Sequence, residues 1–149
     1  MSLPRIDHEL INTVDANVSQ LLLRSGADVN ARDGFGRTAL INAKTVDQTV
    51  VLLDNGADVN AKDDNLRTAL MHAKTVDQTR VLVEADSDVN AVDYFGKTAL
   101  MYARTVDQSR LLIEAGADVD IRDSYGRTAL SYANSVDQLN LLKKTMCSL

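Results

Sequence analysis

The residue types that carry most enzyme chemistry are sparse in this sequence. His8 and His72 are its only histidines and lie far apart, and Cys147 is its only cysteine. The sequence has no His-Glu-x-x-His motif, no paired cysteine motif, no phosphate-binding loop and no nucleophile with a base at a characteristic spacing. We therefore predict that the protein is not an enzyme and that it uses neither a cofactor nor a metal.

Aspartates are abundant, but they recur in register every 30 residues. One series is Asp28, Asp58, Asp88 and Asp118, and another is Asp33, Asp63, Asp93 and Asp123. Carboxylates at such repeated positions usually accept backbone N–H bonds in turns. A calcium site would need a denser array of oxygen atoms around a Gly-centred loop, which is missing here. The pattern therefore predicts structural aspartates.

Composition and charge narrow the class of protein further. The chain has 149 residues, of which 45% are apolar and 25% charged, the balance of one globular domain. Its net charge of -5 disfavours nucleic acid and anionic membranes as partners. A lone cysteine fits a reducing compartment, and no run resembles a signal peptide or a membrane helix. We expect a cytoplasmic protein, or one delivered to a host cell as an effector.

A four-residue motif that occurs four times predicts where helices begin. Each copy predicts a helix start, because its hydroxyl can accept from the backbone N–H three residues on while its Gln reaches back to the cap residue's own N–H. A shorter helix of about six or seven residues should begin near Thr38, and Gly56 can end the longer one. The copies are Thr45-Val46-Asp47-Gln48, Thr75-Val76-Asp77-Gln78, Thr105-Val106-Asp107-Gln108 and Ser135-Val136-Asp137-Gln138.

Alignment at this period divides the single domain into five units. Residues 1–30 form an N-terminal capping unit, with a polar first helix from about Ile6 to Asn12 and a longer second helix. Residues 31–60, 61–90 and 91–120 are internal units, and 121–149 form the C-terminal capping unit. In the 61–90 unit, Leu66 and Asp86 replace turn glycines of the sister units. Because Leu disfavours the left-handed conformation, we expect the turn at residues 64–66 to differ in shape.

The repeated segments resemble the ankyrin repeat over about residues 20–145. The resemblance rests on Gly-Ala-Asp-Val-Asn-Ala-x-Asp at residues 56–63 and Gly-x-Thr-Ala-Leu at residues 36–40. It implies an all-α, ankyrin-like solenoid of stacked helix-turn-helix repeats with projecting β-turn or hairpin fingers. The units depart from the family pattern because they are shorter than its roughly 33 residues. Ala39 and Ile41 also stand where the family has Pro and His.

The resemblance implies binding of a partner protein or peptide through a concave face of fingers and first helices. The aromatic residues fall in those two regions, and Ile41, Met71 and Met101 should add apolar contact nearby. The competing interpretation is that the aromatics cover seams between units, and that His72 is an ordinary surface residue. The candidates are Phe35, Phe95, Tyr125 and Tyr94 on the fingers, and His72, Tyr102 and Tyr132 on the first helices.

Basic residues mark the same side of each unit in two columns. They favour a partner with an acidic, partly apolar surface. They are equally consistent with ion pairs inside a unit, such as Arg37 with Asp33. The columns are Arg37, Arg67, Lys97 and Arg127, and Lys44, Lys74 and Arg104.

Three further possibilities remain open at this point. The protein could be a structural or self-associating element that forms a homodimer, although a monomer is expected. It could also be an inhibitory subunit that covers an enzyme's active site. The resemblance separately implies that Asn30, Asn60 and Asn90 are candidates for hydroxylation, because a Leu precedes each by eight residues, at Leu22, Leu52 and Leu82.

Overall fold

The computed structural model describes residues 4–148, and within that range the chain forms helices and turns without a β-strand. The all-α prediction is therefore confirmed. The helices are α1 (Arg5–Asn12), α2 (Ala16–Arg24), α3 (Ala39–Asn42), α4 (Val46–Asp54), α5 (Ala69–His72), α6 (Val76–Glu84), α7 (Ala99–Tyr102), α8 (Val106–Glu114), a 3₁₀ helix (Ala129–Tyr132) and α9 (Val136–Cys147).

The helices form two layers that run along the repeat. Helices α1, α3, α5, α7 and the 3₁₀ helix stack in order in one layer, while α2, α4, α6, α8 and α9 stack in the other. Each short helix also packs on the long helix of its own unit. Because each unit contacts only its neighbours, the fold is the helix-turn-helix solenoid that the repeat predicts.

One continuous apolar core fills the space between the layers. Leucines of the short helices, such as Leu40, meet leucines of the long helices, such as Leu52. Ile41, Met71 and Met101 are also buried in this core. The expectation that they add contact on the binding face is therefore wrong for Ile41 and Met101, because a one-turn helix held between two like helices presents them to its neighbours. Met71 also borders a cleft between α5 and α7.

The short helices of the inner units have four residues rather than the expected six or seven. The chain leaves the helix at Ala43, whose φ of −56° and ψ of 132° are extended. This conformation frees the Ala43 carbonyl to accept a hydrogen bond of 3.1 Å from Nε2 of Gln78 in the next unit. Contact between units therefore ends the short helix early.

The caps of the long helices are confirmed in part. The Thr45 hydroxyl accepts from the backbone N–H of Gln48, as predicted. The Gln48 side chain, however, does not bond the cap residue's own N–H. Its Oε1 accepts from the N–H of Lys44, one residue earlier, at 3.1 Å, and its Nε2 donates to the carbonyl of Thr13 in the preceding unit at 2.7 Å.

The same glutamine contacts recur along the stack, and all four side chains are buried. Each amide nitrogen lies near a carbonyl and a hydroxyl of the preceding unit, so the glutamines form a ladder that we call the glutamine ladder. Its bonds to the preceding unit join Gln48 to Thr13 and Ser19, Gln78 to Ala43 and Thr49, Gln108 to Ala73 and Thr79, and Gln138 to Ala103 and Ser109.

The first unit departs from the others at its helix cap. Asp15, not Thr13, caps α2 and accepts from two backbone N–H groups. Helix α2 therefore has nine residues, the same length as α4, and the expected longer second helix is wrong. Asp7 on α1 accepts from the N–H of Asp28 at 2.7 Å. For Asp58 of the next unit, Asn30 of the first unit fills that role by accepting from the Asp58 N–H.

The turn of the 61–90 unit keeps the shape of its sisters. Leu66 adopts the left-handed conformation with φ of 60°, and its N–H bonds the Asp63 carbonyl as Gly36 bonds Asp33. The expected change of shape is therefore wrong, since the bonds around Asp63 impose the turn on an unfavourable residue. Asp86 takes the same conformation at φ of 62°.

We predict that Gln78→Ala destabilises the protein by about 3 kcal/mol, because it opens a small cavity and leaves the buried carbonyl of Ala43 and the N–H of Lys74 without their partners. Urea unfolding followed by circular dichroism measures the change. Gln20→Ala is the matched control, because Gln20 lies outside the ladder, and it should cost less than about 0.5 kcal/mol. Equal losses would contradict the importance of the ladder.

We predict that Leu66→Gly stabilises the protein by about 1 kcal/mol. Relief of the left-handed conformation contributes about 1–2 kcal/mol, and the greater freedom of Gly in the unfolded chain offsets part of it. Leu66 is 45% exposed, so little burial is lost. The same unfolding experiment tests this, with Leu66→Ala as the control that keeps the strain. A Gly variant no more stable than the Ala variant would show that the turn is relaxed.

Candidate partner-binding surface

Each finger is a tight turn organised by one aspartate. Oδ1 of Asp33 accepts from the backbone N–H groups of Phe35 and Arg37, at 2.9 and 3.0 Å. Asp63, Asp93 and Asp123 make the same pair of bonds in their own fingers. The prediction that these registered carboxylates are structural is confirmed, and the turns hold the tip side chains in a repeated position.

Backbone bonds also connect each finger to the next. The N–H of Asp64 donates to the carbonyl of Phe35 at 3.0 Å, and Tyr94 donates to Asn65 at 2.9 Å. Arg32 adds a side-chain link, because its Nη1 donates to the Lys62 carbonyl. The fingers are therefore one connected row, and the link through Arg32 was missed by the sequence analysis although a basic residue recurs at Lys62 and Arg122.

The aromatic side chains of the finger tips are largely exposed. Phe35 is 68% exposed, Tyr94 70%, Phe95 40% and Tyr125 70%. Tyr94 and Phe95 pack edge to face with their ring centroids 5.5 Å apart. The row thus offers large, rigid apolar surfaces to solvent, interrupted by Asn65 in the 61–90 unit.

Basic side chains lie over the finger rings. The guanidinium carbon of Arg37 is 4.9 Å from the centroid of Phe35, and that of Arg127 is 4.7 Å from Tyr125. The two arginines also pair with Asp33 and Asp123. These contacts hold the guanidinium groups between a ring and a carboxylate, which orients the rings at the finger tips.

The tyrosines of the first helices are anchored to the same aspartates. The hydroxyl of Tyr102 donates to Asp93 at 2.5 Å, and that of Tyr132 donates to Asp123. Burial and this bond raise the pKa of Tyr102 to about 12. Burial by itself would raise the pKa of Asp123, but the bonds from Tyr132, Arg127 and Tyr125 lower it to about 2. Both tyrosines are therefore neutral donors at physiological pH.

Lys97 differs from Arg37 and Arg127 in the same column. Its Nζ lies 4.5 Å from the ring centroid of Tyr132 and 5.5 Å from that of Tyr102. Among residues 4–148 it forms no ion pair of the kind seen at Arg37 and Arg127. Its charge is therefore held over aromatic faces instead of being paired with a carboxylate.

A cleft of about 210 Å³ brings together five of the candidate residues. It lies between α5 and α7, and Met71, which was expected to add apolar contact, forms part of its wall. Ala73 also lines it, and the sequence analysis missed this residue because alanine is typical of a core. Phe35, Arg37, Tyr125 and Arg127 do not line it. The candidate residues of the cleft are Arg67, His72, Lys74, Tyr102 and Arg104.

His72 is the histidine that α5 contributes to the lining of this cleft. Its Nε2 lies 3.8 Å from Oδ2 of Asp63, beyond hydrogen-bonding distance. Burial lowers the pKa of His72, Asp63 opposes this effect, and the positive charges of Arg67 and Lys44 add to it. The imidazole is therefore neutral at physiological pH.

Within residues 4–148, no three His, Cys, Asp or Glu side chains are grouped so as to hold a metal ion. No helix in the same range is both long and apolar enough to cross a membrane.

Comparison with known proteins places the repeat in a family. The family model for ankyrin repeats (three copies) matches residues 10–93, 45–123 and 74–145, which together span most of the chain. No curated protein matches the sequence. Ankyrin repeats are generally protein–protein interaction modules, typically without enzymatic activity. With the stacked helix pairs and the connected row of fingers, these matches establish that the chain belongs to the ankyrin repeat family.

Proposed function

We propose that the protein is a non-catalytic module that binds a partner protein or peptide through its fingers and first helices. The observation that carries the proposal is the exposure of Phe35, Tyr94, Phe95 and Tyr125 along one connected row. Large aromatic side chains held in fixed positions lose little entropy on binding, which makes them effective anchors for a partner.

The charges beside this row favour a partner with an acidic, partly apolar surface. Arg37 and Arg127 are partly neutralised by Asp33 and Asp123, whereas Lys97 lies over tyrosine rings. The long helices carry Asp54, Glu84 and Glu114 on the other layer. An approaching acidic surface would thus be attracted to the finger side and repelled from the second-helix side.

We predict that the triple variant Phe35→Ala, Phe95→Ala, Tyr125→Ala loses the partner while remaining folded, because it removes exposed rings without touching the core. Quantitative pull-down from native lysate compares it with the wild-type chain, after circular dichroism and thermal melting have shown that it folds. A loss of at least tenfold in captured partner is expected, since hot-spot rings contribute about 2 kcal/mol each.

The matched control for the aromatic variant removes exposed apolar side chains elsewhere. Leu21→Ala, Val50→Ala, Val136→Ala truncates three exposed residues of long helices. This control should keep the partner. If it loses the partner while the aromatic variant keeps it, the interaction lies on the long helices and the proposal is wrong.

We further predict that affinity for the captured partner falls as salt rises, because exposed charges are screened beyond roughly 10 Å at 0.1 M ionic strength. Calorimetric titration at a low and a high sodium chloride concentration measures the slope. Lys97→Gln should flatten it, whereas Arg80→Gln on α6 should leave it unchanged. An affinity that does not respond to salt would exclude an acidic partner surface.

A further inference from the structure

The cleft between α5 and α7 contains two buried nitrogen atoms that no neighbour satisfies. Within residues 4–148, Nε of Arg67 and Nε2 of His72 are buried and have no hydrogen-bond partner. Both residues line the cleft. Buried polar atoms are normally hydrogen-bonded, because leaving one without a partner destabilises the folded state. Each of these two atoms therefore needs a specific explanation.

The two unpartnered nitrogen atoms both belong to the 61–90 unit, whose hydrogen bonds differ from those of its sister units. Nε of Arg37 and of Arg127 donates to Oδ2 of the finger aspartate, at 2.9 and 3.1 Å. Arg67 makes no such bond among the described residues, and the ring of His72 stands beside Oδ2 of Asp63 instead. Among the described residues, the buried Nε of Arg67 therefore lacks the acceptor that Arg37 and Arg127 have, while the Arg67 side chain lines the cleft.

The cleft is also strongly cationic. Lys74 and Arg104 line it with Arg67, and their backbone N–H groups are fixed by Gln78 and Gln108 at 3.1 and 3.0 Å. The positive charge of Lys44 also acts on the imidazole of His72, together with that of Arg67. Two carboxylates oppose this charge: Asp63, which already accepts two backbone N–H bonds, and Asp93, which accepts from the hydroxyl of Tyr102. An anion entering the cleft would meet three positive side chains.

We propose that this cleft binds the carboxylate of a glutamate-type side chain presented by an acidic partner peptide. Arg67 and Arg104 supply charge-assisted hydrogen bonds to the carboxylate oxygens. Met71, Ala73 and the Tyr102 ring contact the aliphatic stem of the bound side chain. This mixed lining fits a glutamate better than a compact phosphate, which has no apolar stem to bury. The inference rests on the proposed function, whose partner class it narrows.

Protonation of His72 makes the site sensitive to pH. The groups that face it are Asp63 and Arg67 of its own unit, Lys44 of the preceding unit, and the other cleft residues, Lys74, Tyr102 and Arg104. A bound carboxylate stabilises the imidazolium form of His72 and so raises the pKa of this residue. Protonation and binding therefore favour each other, and the carboxylate binds more tightly as pH falls. Glutamate side chains stay ionised above about pH 5, so they do not cause this dependence.

A short synthetic peptide that alternates Glu and Leu is the probe, with fluorescence anisotropy as the readout. We expect it to bind, a Gln-Leu peptide not to bind, and Arg67→Gln and Arg104→Gln each to weaken binding about tenfold. Arg80→Gln is the matched control, because it removes the same charge from the long helix of the same unit, and it should change affinity less than about twofold.

Three binding results would overturn the inference, and one pH result would also count against it. They are an equal loss in Arg80→Gln, absence of binding by the Glu-Leu peptide, and tighter binding of a matched phosphoserine-Leu peptide, which would assign the cleft to phosphate. The affinity of the wild-type protein for the Glu-Leu peptide should increase as pH falls from about 7 to about 5. His72→Gln should abolish this rise and His8→Gln should keep it, and a rise that persists without His72 also counts against the proposal.

The outcome separates this inference from the proposed function. If the native partner is lost by the aromatic finger variant but kept by Arg67→Gln, the cleft inference fails and the interaction module stands. If the Glu-Leu peptide shows the expected variant pattern while the finger variant keeps its native partner, the cleft stands and the finger assignment fails.

Discussion

The buried amide of one glutamine per repeat is the interaction on which the stack depends. Gln78 accepts from Lys74 in its own unit and donates to Ala43 and Thr49 in the preceding one. One side chain therefore closes the turn inside a unit and joins that unit to its neighbour. Because the amide is buried, losing any of these bonds leaves polar groups without water, which makes the spacing between units stiff.

The same contacts explain why a short unit suffices. A four-residue helix is not stable alone in water, because nucleation of a helix is costly. Here the extended Ala43 offers its carbonyl to the next unit, and the leucines of both layers close a continuous core. Each unit is thus held by its neighbours, as expected for a solenoid. At the first unit, Asp15 and Asp7 replace the internal cap and the Asn30 link.

The repeated frame surrounds a few positions that vary from unit to unit. The column of Asn42, His72, Tyr102 and Tyr132 lies at the end of each short helix, beside the finger aspartate. The tyrosines donate to that aspartate, whereas His72 does not, and in its unit Arg67 lacks the carboxylate acceptor that Arg37 and Arg127 have. The hydrogen bonding of this unit therefore differs from that of its sisters, although its finger turn keeps the same backbone conformation.

The sequence alone determined the repeat, the helical class, the caps at Thr45 and its sisters, and the structural role of the finger aspartates. These follow from local rules of spacing, hydroxyl caps and turn chemistry, which act within a few residues. Only the tertiary structure decided the rest. In the folded chain the Gln48 amide donates to Thr13, and Met71 and Met101 are buried. Leu66 adopts the left-handed conformation. Arg67, His72 and Arg104 line one cleft. Each of these features depends on a neighbouring unit or on a hydrogen-bond network that overrides local conformational preference. The pattern within one repeat does not show which residues of the next repeat its side chains will contact.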